Sequence, residues 1–122
     1  MLRVKVKNGK IGMEYLMTAS TRKVLKKLKK ELLRIYGEQL DSIILYGSQA
    51  RGDARPDSDV DILLVIKGDF NYIELLKRSD DLAASLSLEN DIVISRAFVS
   101  EKDYKERQTP FLMNVRREGI AV

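Results

Sequence analysis

The stretch IILYGSQARGDARPDSDVDILLVI, residues 43–66, joins two apolar runs through a segment dense in glycine, small and charged residues. Asp41 to Tyr46 reads as a short strand that stops at Gly47. Val60 to Ile66 is apolar almost throughout, as in a central strand covered on both faces. Glycine at 47 allows a tight turn and a close backbone approach to a ligand. The Ser48 hydroxyl and neighbouring amides can donate to phosphate oxygens. After ten intervening residues, Asp59 and Asp61 open the second run two positions apart, so strand alternation turns both carboxylates to one side. Carboxylates that close repel one another unless a cation neutralises them. A phosphate cradle facing a pair of hard-cation ligands is what two-metal phosphoryl or nucleotidyl transfer needs. An isolated Asp-x-Asp is usually the polar rim of a strand, and an isolated Gly-Ser a turn. Both together, in this order beside a core strand, argue for chemistry.

Composition supports that chemistry by exclusion. The 122 residues suffice for one compact domain and contain neither cysteine nor histidine. A zinc site of thiolates and imidazoles is therefore ruled out, and any metal must lie among oxygen ligands, which suits magnesium, manganese or calcium. Without histidine, proton abstraction falls to a carboxylate or a lysine. The absence of cysteine, of a secretory core at the N-terminus and of any long apolar run makes the cytoplasm the expected compartment, with no membrane span. The net charge of +4 is unevenly spread: residues 1–40 hold eleven Lys and Arg against three acids, residues 41–122 eleven against fifteen.

Outward from the central stretch, elements alternate. Residues 2–16 read as a β-hairpin around Asn8-Gly9, which makes 1–17 an extension and 18–122 the domain proper. Ser20 or Thr21 caps a helix to about Tyr36, with Leu25, Leu28, Leu32 and Ile35 as its apolar stripe. Its lysines, lacking interleaved aromatics, read as a solvated face, so nucleic acid is not expected as the main partner. Asn71 and Glu74 make a capping box for one helix to about Leu88. Asp91 to Ser95 reads as a further strand, and Ser100 and Thr109-Pro110 start two short helices. The spacing predicts a single α/β (α+β) domain, a small mixed sheet flanked by helices, plus the N-terminal hairpin.

Residues 43–66 resemble the signature of the DNA polymerase β-like nucleotidyltransferase superfamily. GSQARGDARPDSDVDILLV is close to a full match for its minimal (MNT) branch, which includes the partners of HEPN ribonuclease toxins in toxin–antitoxin modules. The ending PFLMNVRREGIAV is similar to the close of that domain. The resemblance spans about residues 21–122 and leaves the hairpin outside. It implies two Mg2+ ions held by Asp59 and Asp61, a triphosphate seated by Gly47 and Ser48, and ATP as donor. It further implies a third carboxylate that shares a metal and accepts the proton of the attacking hydroxyl. Asp91 is the matching position, aligned by strand alternation with Val93 and Ser95, and Glu89 competes for the role. Arg51 is either a triphosphate ligand or a loop arginine paired with Asp53 or Asp57. The acceptor implied is a tyrosine of a HEPN toxin, presented by a separate chain. Rival readings are transfer to a small molecule or a nucleic-acid end, and a non-catalytic toxin-binding module.

Overall fold

Seven residues from Val60 to Ile66 form the strand around which everything else is laid, and all but Asp61 are buried. The computed structural model describes residues 6–7, 10–11, 18–55 and 59–122. In chain order the elements are β1 (Val6–Lys7), β2 (Lys10–Ile11), α1 (Ala19–Tyr36), β3 (Leu40–Tyr46), α2 (Ser48–Arg51), β4 (Val60–Ile66), α3 (Tyr72–Arg78), α4 (Asp80–Asn90), β5 (Ile94–Ser100), α5 (Glu101–Glu106), α6 (Pro110–Glu118) and β6 (Ile120–Ala121). β1 and β2 pair antiparallel, Val6 opposite Ile11 and Lys7 opposite Lys10. The rest of the expected hairpin, its Asn8-Gly9 turn included, lies outside the described residues.

The main sheet has the order β5-β4-β3-β6. β3 runs antiparallel to β4 and to β6, whereas β4 and β5 are parallel, so the sheet is mixed as expected. Strand alternation divides its side chains between two cores. Ile43, Leu45, Val60, Ile62, Leu64, Ile66, Ile94 and Phe98 face α1, α3 and α4 through Val24, Leu28, Leu32, Leu75 and Leu86. Ile44, Leu63 and Val65 point the other way, against Leu112 and Val115 of α6. Among the described residues, no helix is long and apolar enough to cross a membrane.

Three expectations change. α1 begins earlier than Ser20, because Thr18 is its cap and accepts from the Thr21 amide at 3.1 Å. The single helix expected from Asn71 to Leu88 is broken in two at Ser79. The strand expected at Asp91–Ser95 begins only at Ile94 and continues to Ser100. Asp91 instead closes α4 in the left-handed conformation, φ 50°, and its amide bonds back to the Ser87 carbonyl. The lysines of α1 are outward, as expected of a solvated face.

Candidate active site

β3 ends where β4 begins, because the two are antiparallel, and Tyr46 is the register partner of Asp61. Gly47 therefore turns the chain directly beside the Asp61 carboxylate. Its backbone has φ 74° and ψ −159°, a region open essentially to glycine alone. A Cβ at this position would run into Asp61 Oδ2. The Gly-Ser turn and the aspartate pair, separate in sequence, thus form one wall. Ser48 opens the short helix α2, a feature absent from the loop expected between residues 47 and 58.

Asp61 is half-buried while Asp59, just ahead of the strand, is exposed. Burial raises the Asp61 pKa above its ordinary value; the Asp59 charge adds to the shift and Arg51 opposes it. Two carboxylates in electrical contact, one of them partly desolvated, form a site that a hard cation relieves. The residues present fit a divalent metal in that respect: oxygen donors, mutual repulsion, and a glycine that leaves space beside the carboxylate. Among the described residues no cluster of three or more acidic side chains accompanies them.

Asp61 has a second register partner, Ser95 on β5. Paired residues of adjacent strands project to the same face, so Tyr46, Asp61 and Ser95 form a row across three strands on the α6 side. Phe111 of α6 packs edge-on against Tyr46, ring centroids 5.3 Å apart. Burial pushes the Tyr46 hydroxyl up to about 12, with Asp61 and Tyr72 adding to the shift.

Arg51 donates from Nε to Asp53 (3.2 Å) and from Nη1 to Glu118 of α6 (3.4 Å), so the loop-pairing alternative describes its contacts in this structure. Asp91 is not brought into the row. It lies four residues ahead of Ser95, exposed, at the end of α4. Glu89 is turned away as well, 3.5 Å from Lys27 of α1. Sequence reasoning missed Tyr46 and Ser95 as neighbours of Asp61, Phe111 as the ring packed on Tyr46, and Glu118 as a partner of Arg51. Only Ser95 carried a signal, since it shares strand parity with Asp91 and Val93.

The sequence pattern described as "Nucleotidyltransferase domain" matches residues 25–121. A Methanocaldococcus jannaschii chain designated a protein adenylyltransferase, MJ0141, is 34% identical over 99 residues, covering 81% of this chain and 95% of its own. Among solved structures, a nucleotidyltransferase assignment from Sulfolobus solfataricus superposes with a TM-score of 0.57 at 23% identity, over 84% of this chain and 80% of the other. The complex of a tri-AMPylated Shewanella oneidensis HEPN toxin with an MNT antitoxin gives 0.51 at 20% identity, over 84% and 70%. At these identities the two structures speak for the fold.

Proposed function

Since the chain belongs to the nucleotidyltransferase domain family, we propose that it transfers AMP from ATP to a hydroxyl of a partner protein. The observation that carries this reading is the close approach of Gly47 to the Asp61 carboxylate, which sets the Gly-Ser turn beside the Asp-x-Asp strand. Asp59 and Asp61 hold the divalent ions, which supply charge neutralisation at the phosphates. Gly47 and Ser48 seat the triphosphate, and the protein acceptor follows from the likeness to a chain designated a protein adenylyltransferase.

In the transfer, the acceptor oxygen attacks the α-phosphorus in line. The bond from that phosphorus to the oxygen bridging to the β-phosphate breaks, and pyrophosphate leaves. The acceptor's proton needs a base, and in a chain without histidine that falls to a carboxylate or a lysine. We assign the acceptor to a tyrosine of a HEPN-type toxin, in keeping with the resemblance and with the modified toxin in the solved complex.

Incubating the protein with labelled ATP, Mg2+ and a co-encoded HEPN-type chain should label that chain, and chelator should abolish labelling. Full transfer in excess EDTA would falsify the two-metal reading. A partner that remains unmodified while still held in a stable complex would favour neutralisation by binding alone.

A further inference from the structure

Resting on the nucleotidyltransferase reading, we propose that the third position of the metal site in this chain belongs to Ser95, so that two carboxylates and one hydroxyl hold the ions and Asp91 is not a ligand. The parallel register places Ser95 beside Asp61, with Ile94 beside Val60 and Arg96 beside Ile62. Ser95 is half-buried, as is Asp61, and shares its face. One strand step earlier, the Val93 carbonyl accepts from the Val60 amide at 2.9 Å, which holds this end of β5 against β4.

Asp91 is committed elsewhere. Its left-handed backbone closes α4, and the amides of Asp91 and Ile92 both return to the Ser87 carbonyl. Ser95 lies four positions further on, about 13 Å of chain if extended. Chemically, a serine hydroxyl is an oxygen donor that hard cations accept, as the hydroxyl of a phosphate-binding loop accepts Mg2+. It brings no charge. The site then carries two negative charges from protein where a third carboxylate would make three, so the phosphates of the nucleotide must supply more of the ligand field. Metal binding without nucleotide is correspondingly weak, and adding a carboxylate at 95 strengthens it.

The test reads metal binding directly, by the loss of the free Mn2+ paramagnetic resonance signal on titration, with circular dichroism confirming the fold of each variant. Ser95→Asp should tighten Mn2+ by roughly tenfold or more, because ligand charge sets the affinity of such sites. Ser95→Ala should loosen it severalfold, and it keeps the test decisive if the aspartate variant fails to fold. Asp91→Asn should match the wild type. Loosening by Asp91→Asn as large as that by Asp61→Asn overturns the proposal and leaves the metal site itself standing. So does wild-type affinity in Ser95→Ala, whatever the aspartate variant does. Indifference of Mn2+ binding to Asp59→Asn and Asp61→Asn alike overturns the underlying reading and this proposal with it.

Discussion

Gly47 combines a left-handed φ of 74° with a carboxylate lying where a side chain would begin. Gly47→Ala must meet both penalties, so it should destabilise the fold by about 1–3 kcal/mol and also displace Asp61. Denaturant melts and single-turnover transfer measure the two effects, and a stable, active alanine variant would refute the wall. The aspartates behave oppositely. Because the Asp61 pKa is raised in the fold, its ionised form opposes folding at pH values above its unfolded pKa. Asp61→Asn should therefore melt no lower than wild type in EDTA, and Asp59→Asn, which removes the opposing charge, should do likewise. Both should lose transfer. Tyr46 gives the alkaline counterpart. Its pKa, pushed up to about 12 from an ordinary value of about 10, keeps a proton that the unfolded chain releases. The stability it contributes is complete below the unfolded value and disappears as pH rises through the folded one, at about 1.4 kcal/mol per pH unit for one proton. Tyr46→Phe should flatten the alkaline decline in stability; an unchanged slope between those values would contradict the assignment.

The break between α3 and α4 is an element-scale event with a long-range cause. Arg96, on β5, donates to the Leu76 carbonyl (3.1 Å), Ser79 Oγ (2.5 Å) and Asp80 (2.7 Å), across the junction. The Tyr36 hydroxyl at the end of α1 donates to the Leu75 carbonyl (2.6 Å) and contacts Ser79 Oγ (2.7 Å). Ser79 is fully buried and serves both. Ser79→Ala strips partners from a part-buried guanidinium and a buried phenol, and should cost about 1–3 kcal/mol in a denaturant melt; a loss below a few tenths would show the network is not what fixes the junction. Nothing near Ser79 announces the break, since the apolar spacing of Leu75, Leu76, Leu82 and Leu86 passes through it uninterrupted. The start of β5 was hidden for a related reason. Asp91-Ile-Val-Ile has strand-like composition, but the α4 cap and the partner offered by Val60 decide where pairing starts. The two-residue β6 had no local signal at all; it exists because β3 has an open edge. By contrast, the Gly47 turn, the Asp59/Asp61 pair, the apolar β4 and the caps at Asn71, Ser100 and Thr109 were legible, because each is demanded by backbone or side-chain chemistry within a few residues. The aspartate pair belongs to that local class, and Ser95, which another strand sets beside Asp61, does not.

At the scale of the whole molecule, the site opens at one end of the sheet, at the junction of β3 with β4. α1, with its outward lysines, lies on the opposite face of the sheet from the Asp61 row. The basic helix and the aspartate pair thus lie on opposite sides of the sheet. Around the row, Val93 is 57% exposed and Phe111 44% exposed, each large and apolar on a surface otherwise rich in charge. In the transfer proposed above, a protein acceptor that brings its hydroxyl to a nucleotide seated beside Asp61 covers this rim, where exposed apolar side chains are available for burial. Val93→Glu leaves the Val93 carbonyl and its bond to Val60 in place and changes only the rim. It should raise the KM for the protein acceptor by roughly tenfold, the cost expected of a side chain that contributes about 1.4 kcal/mol to an interface. ATP affinity and the thermal melt should remain those of the wild type. A matching loss of ATP affinity would mean that Val93 borders the nucleotide instead, and unaltered acceptor kinetics would place the docking surface away from this rim.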